Sequence, residues 1–173
     1  MNKLSVISYG FHKTIFGECL IAFYDGKICH FSFYDRDKLS AFNILKQEWE
    51  SAEFIEDSSL ATKTINKYFN SKQISKIDLS NLFLSGTPFM VKVWEHLVTI
   101  PFGQMQSYSD VAKSIGKPTA TRAVASAVAK NKISFFIPCH RVIQSSGKLG
   151  KYRWGSERKP AILQWERQIL LLD

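Results

Sequence analysis

The sequence predicts an α+β protein made of two parts, residues 1–85 and residues 86–173. Two observations carry this prediction. In the first part, the β-prone runs Glu18–Tyr24 and Ile28–Phe33 flank Asp25-Gly26, the strongest short signal for a hairpin turn. In the second part, apolar residues recur mostly at helical spacing between short turns that contain Gly and Pro. With 173 residues and 45% hydrophobic content, the chain can bury a modest core in each part.

Two helices are predicted in the first part, over Lys38–Glu50 and Ser58–Asn70. Ser58 or Ser59 is the expected N-cap of the second helix. Apolar residues recur at roughly helical spacing in both, namely Leu39, Phe42, Leu45 and Trp49 in the first and Ile65, Tyr68 and Phe69 in the second. We find no catalytic cluster in this part of the sequence, so we expect it to be a scaffold.

The second part begins with a helix over residues 88–99, for which Thr87 is the expected cap. Two more helices, Ser109–Ile115 and Thr119–Lys130, are separated by the tight turn Gly116-Lys117-Pro118. A helix, a turn containing Gly and a second helix form the outline of a helix-turn-helix. The sequence therefore predicts a nucleic-acid-binding element here.

The last of these helices has an unusual outward face. We expect Ala120, Val124 and Val128 to be buried and Arg122 and Lys130 to point outward, among small residues. Reading helices normally offer Arg, Asn or Gln to base edges. Small side chains instead permit close approach to a groove without reading its sequence. The same composition also fits an Ala-rich helix packed inside the protein, with Arg122 merely solvated.

The net charge of +8 is concentrated near the end of the chain. Residues 1–116 carry 12 basic and 12 acidic residues, whereas residues 117–173 carry 11 basic residues against three acidic ones. Positive charge gathered in this way favours a polyanion such as DNA as the partner. A basic surface with no specific partner fits the charge equally well.

Composition and termini indicate a cytoplasmic protein with no membrane segment. No apolar run approaches the ~20 residues of a membrane span, and the first residues lack the apolar stretch of a secretory signal. Cys19, Cys29 and Cys139 form no disulfide framework and suggest reduced thiols. His12 and His30 add candidate ligands, but no pair has the tight spacing of a zinc site. Neither a metal nor a cofactor is predicted.

The most informative stretch is Ile-Pro-Cys-His-Arg-Val, residues 137–142, in which Cys139 follows Pro138 and precedes His140 and Arg141. By residue type alone, a lone Cys in an apolar sequence is usually a small buried hydrophobe. Neighbouring cations, however, lower the pKa of a thiol, and the thiolate is the nucleophilic form. We therefore expect Cys139 to be an activated nucleophile.

Further residues extend this core into a longer pattern: Asn131, Ser146-Gly147, Gly150-Lys151-Tyr152 and Glu166. Together with residues 137–142, they resemble the active-site signature of the DNA alkyltransferases that act on the O6 atom of guanine, the methylated-DNA–protein-cysteine methyltransferases. The likeness covers the second part firmly and the first part only loosely. It implies an N-terminal ribonuclease-H-like domain and a mostly helical C-terminal domain with a winged-helix-like helix-turn-helix.

The resemblance also implies the chemistry. Cys139 accepts the alkyl group from O6 of guanine, or from O4 of thymine, His140 takes the Cys proton through a water, and Glu166 orients His140. Asn131 supports the site by tying the recognition helix to the active-site loop. Because a thioether has no leaving route in water, the protein is expected to act once and to need no cofactor.

The implied partner is duplex DNA that carries an alkylated guanine, bound through the minor groove by a monomer. Arg122 matches the finger that fills the gap left by the flipped base. Tyr108 matches the Tyr that crowds the 3′ phosphate and hydrogen-bonds the flipped guanine. Ser145 is a further expected DNA contact. Flipping is needed because the reacting atom is inaccessible in stacked duplex.

The loop after the Cys is expected to line the base pocket. By resemblance, the carbonyls of Cys139 and Val142 accept from the guanine amino group, and the Arg153 N–H faces O6. Trp154 stands where some members have Gly, as in the alkyltransferase half of the bacterial adaptive-response protein, and Ser134 stands where some have Pro. The indole of Trp154 predicts a narrow pocket, and both differences predict that methyl groups react better than benzyl groups. Since that protein's metal-bearing N-terminal domain is absent here, no methylation-triggered activator is expected.

Three other readings of the sequence compete with repair. Alkyltransferase-like proteins bind lesions without a nucleophile, but Cys139 is present here. A helix-turn-helix regulator with an incidental Cys would bind undamaged DNA at specific sequences. Activity as a Cys protease would not explain why the last third of the chain is basic.

Overall fold

The computed structural model describes residues 4–69 and 76–172. The chain divides into two compact units, Met1–Phe83 and Leu84–Asp173, so the division lies two residues before the predicted boundary. Both units mix helices with strands, which gives an α+β protein. None of the helices in the described ranges is long and apolar enough to cross a membrane.

The first unit is built on a four-stranded sheet with the order β3-β2-β1-β4. Its strands are β1 (Val6–Thr14), β2 (Gly17–Tyr24), β3 (Lys27–Tyr34) and β4 (Glu53–Glu56). β1 pairs antiparallel with β2 and β2 with β3, whereas β4 runs parallel to β1. The predicted hairpin is confirmed, because β2 and β3 are joined by Asp25 and Gly26 with φ angles of 49° and 74°. β1 and β4 had not been predicted.

Gly10 explains why β1 is hard to recognise in the sequence. A Cβ atom at this position would lie 2.5 Å from the Cβ of Ala61, which belongs to helix α2 (Ser58–Phe69). The helix therefore packs directly onto the strand backbone, and only glycine allows this approach. Glycine has no side chain, which allows the close approach of α2. The missing side chain also weakens the sequence signal for a strand.

The helices of the first unit agree with prediction except at their ends. Helix α1 spans Lys38–Glu48. Of the apolar residues at helical spacing in α1, Leu45 is buried and Leu39 is 66% exposed. The cap of α2 was wrong, since Asp57 Oδ1 accepts from the Leu60 N–H at 2.9 Å and the serines lie inside the helix. The last predicted residue of α2, Asn70, lies outside the described residues.

Among the candidate zinc ligands of the first unit, His30 has hydrogen-bond partners and the two cysteines are buried. His30 is buried, with Nδ1 at 2.7 Å from Glu48 Oε2 and Nε2 at 2.9 Å from Ser32 Oγ. Cys19 and Cys29 are buried in the sheet. Burial raises the pKa of each thiol to about 12, so both stay protonated at neutral pH.

The second unit is mainly helical, with α3 (Pro88–Thr99), α4 (Tyr108–Ser114), α5 (Thr121–Ala129) and α6 (Arg158–Leu170). Thr87 caps α3 as predicted, because its side chain accepts from the Met90 N–H at 3.3 Å. A short parallel pair joins β5 (Gln106–Ser107) to β6 (Val142–Ile143), and so ties the start of α4 to the chain that follows Cys139.

Two helices, α4 and α5, lie on either side of a turn in which Gly116 has a φ of 74°. α5 is shorter than expected. Ala120 lies at its N-cap and is only half-buried, so its predicted core position was wrong, and Ala127 is buried instead. Val124 and Val128 are buried and Arg122 is exposed, as predicted.

Candidate active site

Asn131 holds the loop that carries the Cys. The residue follows α5, is 1% exposed, and uses both ends of its side-chain amide. Its Nδ2 donates to the Ile137 carbonyl at 3.0 Å, and its Oδ1 accepts from the Ile133 N–H at 2.9 Å. Because the amide closes the loop on itself, it fixes residues 131–137 against the end of α5.

Cys139 opens a single 3-10 turn, Cys139–Arg141, and is 6% exposed. Burial raises the pKa of its thiol above the usual value. Hydrogen bonding by Asn131, the positive charge of Lys159 and a hydrogen bond from Tyr152 act in the opposite direction without reversing the rise. The cations next to Cys139 in the sequence therefore do not bring its pKa below the usual value. The group at rest is a protonated thiol.

His140 and Glu166 form a fully buried pair, with His140 Nε2 at 2.7 Å from Glu166 Oε1. Burial lowers the pKa of His140 more than the nearby carboxylate raises it, so the ring is neutral. Since an ionised carboxylate can only accept, Nε2 carries the hydrogen and Nδ1 presents a lone pair. Nδ1 is buried and has no hydrogen-bond partner within the described part of the chain. The ring therefore has a free basic nitrogen.

Glu166 is ionised because other donors surround it. Arg141 Nη2 donates to Glu166 Oε1 at 2.8 Å, and Arg141 Nε lies 3.1 Å from both carboxylate oxygens. The Gly103 N–H donates to Oε2 at 3.1 Å. Burial alone would raise the pKa of Glu166, but the hydrogen bonds from His140 and Arg141 and the positive charge of Arg141 outweigh it and lower the pKa to about 2. His140 thus faces a permanent negative charge.

Arg141 has a role that the sequence analysis missed. Its Nη1 donates to the Ile100 carbonyl at 2.7 Å, and its guanidinium lies 5.3 Å from the Phe102 ring centre. The side chain therefore joins the end of α3 to α6 through Glu166, and it is directed to the carboxylate instead of serving as the cation for Cys139. The Arg fork matches a carboxylate well, but nothing in the sequence pairs this Arg with a Glu 25 residues away.

Lys159 is the second residue that the sequence analysis missed. It is 2% exposed, and its Nζ donates to the Val142 carbonyl at 2.6 Å. Burial lowers the pKa of its ammonium, while the charge of Cys139 acts to raise it. The carbonyl that was expected to accept from guanine thus already accepts from Lys159. In the sequence, no signal distinguishes Lys159 from an exposed lysine.

The residues predicted to bind DNA are divided between the helix-turn-helix and the loop after the Cys. Tyr108 begins α4, and burial followed by the charge of Cys139 raises the pKa of its phenol. Ser145 is exposed, with Oγ 3.3 Å from Ser109 Oγ of α4. Arg153 is exposed, and its guanidinium lies 4.6 Å from the ring centre of the buried Trp154. The Trp154 carbonyl in turn accepts from Arg158 at 2.6 Å.

This geometry brings Cys139, His140 and Glu166 together with Asn131. Comparison with known proteins then identifies the family. The family model of the 6-O-methylguanine DNA methyltransferase DNA-binding domain matches residues 88–168. A probable methylated-DNA–protein-cysteine methyltransferase of Acanthamoeba polyphaga mimivirus is 42% identical over 106 residues, which are 60% of this chain and 68% of that protein. The chain belongs to the O6-methylguanine DNA methyltransferase family.

Two further relatives align with nearly the whole chain. The Mycobacterium tuberculosis OGT, solved in complex with DNA, is 32% identical with a TM-score of 0.76 and 94% of both chains covered. The bifunctional transcriptional activator/DNA repair enzyme Ada of Escherichia coli is 36% identical over 163 residues, 94% of this chain. The chain spans about half the length of Ada, since the aligned stretch is 46% of that protein.

Proposed function

We propose that this protein repairs duplex DNA by direct reversal, moving a methyl group from O6 of guanine to the sulfur of Cys139. One observation carries the proposal: the thiol follows Asn131 in a fixed loop and is adjacent in the chain to a neutral, buried His140 whose partner Glu166 is ionised. This is the arrangement of an activated nucleophile. Membership of the methyltransferase family and the likeness to a DNA-bound OGT support the same activity.

The proposed reaction begins with a proton transfer. Because burial keeps Cys139 protonated, attack needs a base. His140 Nδ1 accepts the thiol proton through one water, and Glu166 stabilises the imidazolium that results. The thiolate then attacks the methyl carbon, so that the S–C bond forms while the C–O6 bond breaks. The leaving guanine carries the electron pair and takes up a proton, for which Tyr108 is the proposed donor.

We propose that α4 and α5 grip the DNA as a winged-helix-like element in the minor groove. Arg122 is exposed on α5 and fills the space of the flipped base, while Tyr108 and Ser145 contact the strand that carries the lesion. The first unit, a mixed sheet with two helices, is proposed to be a ribonuclease-H-like scaffold. We further propose that the protein acts as a monomer in the cytoplasm and that thymine O4 is the second lesion.

The Trp154 side chain is proposed to set the lesion size. It is buried in the loop after the Cys, with Arg153 stacked against it and its carbonyl held by Arg158. Such a fixed indole narrows the space beside the sulfur. We therefore propose efficient reaction with methyl groups and slow reaction with benzyl groups.

The decisive experiment uses duplex DNA that carries one isotope-labelled O6-methylguanine. We expect the label to reach a plateau of one methyl group per protein, located by mass spectrometry on the Cys139 peptide. Cys19 and Cys29 are internal controls, since their buried thiols should stay unlabelled. The matched variant Cys139→Ser should bind the duplex and accept no methyl. Labelling of that variant, or repeated turnover by the parent, would refute the proposal.

A further inference from the structure

Ser134 and Tyr152 form a buried pair of hydroxyl groups beside the nucleophile. Ser134 is fully buried, Tyr152 is almost so, and the two hydroxyl oxygens are 2.9 Å apart. Neither residue belongs to the Cys139–His140–Glu166 relay. A buried hydroxyl pair of this kind excludes water, so each group depends on the other for its hydrogen bond.

Tyr152 connects this pair to the sulfur. The Tyr152 hydroxyl is among the groups that act to lower the pKa of the Cys139 thiol, as a donor directed at the sulfur would. Burial, followed by the charge of Cys139, raises the pKa of Tyr152 well above its usual value, so the phenol keeps its hydrogen at any working pH. A phenol that cannot ionise is a permanent donor. The direction of its O–H bond then decides whether it donates to the sulfur or to another acceptor.

Ser134 is held in place by the backbone around it. The next residue, Phe135, has a φ of 66°, an uncommon conformation for a non-glycine residue. The Ser134 carbonyl accepts from the Phe136 N–H at 2.7 Å, and the neighbouring Ile133 N–H donates to Asn131. The Phe135 ring stacks near His140, with the ring centres 6.1 Å apart. The Ser134 side chain therefore extends from a loop that is fixed on both sides.

We propose that Ser134 is a positioning residue for the reaction: its hydroxyl donates to the Tyr152 oxygen and so turns the Tyr152 hydrogen toward the Cys139 sulfur. In this arrangement Ser134, Tyr152 and Cys139 form a chain of hydrogen bonds that ends on the thiolate. Had Tyr152 donated to Ser134 instead, its hydrogen would be lost to the sulfur. The inference rests on the proposed function, in which Cys139 is the nucleophile.

The test measures the ionisation of Cys139 without DNA. The rate of carbamidomethylation by iodoacetamide is followed at the Cys139 peptide as a function of pH, for the parent, Ser134→Ala, Tyr152→Phe and the double variant. We expect Ser134→Ala to move the midpoint to higher pH by about half a unit, on the order of a threefold change in ionisation. Tyr152→Phe should move it further, and adding Ser134→Ala to Tyr152→Phe should change nothing more.

Two outcomes would overturn the inference. One is a parental profile in Ser134→Ala. The other is an equal effect of Ser134→Ala with and without the Tyr152 hydroxyl, since that would mean that Ser134 acts by packing alone. Ser134→Thr keeps the hydroxyl and should restore the parental midpoint. If thermal melting shows that Ser134→Ala is unfolded, Ser134→Gly takes its place as the hydroxyl-free variant, with the same expected shift.

Methyl transfer from an O6-methylguanine duplex is the second readout. Ser134→Ala should slow single-turnover transfer about threefold, roughly the effect of losing part of one hydrogen bond, while leaving DNA affinity unchanged. Failure of the parent to transfer any methyl would contradict the proposed function. The iodoacetamide profiles would still decide the role of Ser134, because they do not depend on a DNA substrate.

Discussion

The Glu166 carboxylate offers the sharpest quantitative prediction. Glu166→Gln keeps the shape of the side chain and an acceptor oxygen for His140, but it removes the negative charge that faces Arg141. The variant thus resembles the parent with a protonated Glu166. The Glu166 carboxylate and the Arg141 guanidinium are both buried, so solvent does not screen the attraction that the variant loses.

The magnitude follows from the pKa of the carboxyl. It drops from 4.5 to about 2 on folding, and each pH unit corresponds to about 1.4 kcal/mol. Ionised Glu166 therefore contributes about 3 kcal/mol to the free energy of unfolding at neutral pH. Because the pKa is depressed in the folded state, this contribution is complete above about pH 4.5 and is lost as the pH falls toward about 2. At about pH 3 it should have shrunk to about 1 kcal/mol.

Urea unfolding followed by tryptophan fluorescence, at neutral pH and in steps down to about pH 3, measures the difference between parent and variant. Glu157→Gln is the matched control, since Glu157 is an exposed carboxylate at the start of the same helix. Its effect should stay within about 0.5 kcal/mol. A Glu166→Gln difference that does not change with pH, or that grows on acidification, would refute the reasoning.

Three other perturbations have defined outcomes. Gly10→Ala should destabilise the first unit by about 1–3 kcal/mol, because the new Cβ would lie 2.5 Å from Ala61 Cβ. Thermal melting measures this loss. Gly26→Ala is the comparison, since a Cβ at Gly26 has nothing within 4 Å and that substitution is disfavoured only by the positive φ. Lys159→Met should raise the pKa of Cys139 by removing a nearby positive charge, which an unchanged iodoacetamide profile would disprove. Trp154→Gly should speed inactivation by free O6-benzylguanine, and the idea of a narrow pocket fails if parent and variant react at the same rate.

The fold could be predicted where local chemistry decides it. The Asp25-Gly26 turn needs two residues that tolerate positive φ, and the sequence has them. Thr87 before Pro88 is an equally local signal and caps α3. Strand β1 and the exposure of Leu39 could not be predicted, because tertiary packing decides both. α2 requires a glycine in the strand that it covers, and the pattern of one helix does not tell which of its apolar residues face solvent.

The site could be predicted to the extent that its residues are consecutive in the chain. Cys139 and His140 were recognised from the motif, and the partner Glu166 from the longer pattern. The roles of Arg141 and Lys159 could not be, since each is set by a contact between segments far apart in sequence. A cation written next to a Cys need not lie next to its sulfur. In the 3-10 turn Cys139–Arg141, the Arg side chain is directed to Glu166.

The proposed chemistry differs from that of a permanently ionised nucleophile, and the difference would suit the single reaction proposed for this protein. A thiolate exposed at neutral pH would react with any alkylating agent it meets. Burial keeps Cys139 protonated until a base removes the proton, and the base here is a neutral His140 held by an ionised Glu166. The hydrogen bonds from Asn131 and Tyr152, with the charge of Lys159, then stabilise the thiolate once it forms. We therefore expect the free protein to be slow toward iodoacetamide at neutral pH and fast toward an O6-methylguanine placed against the sulfur.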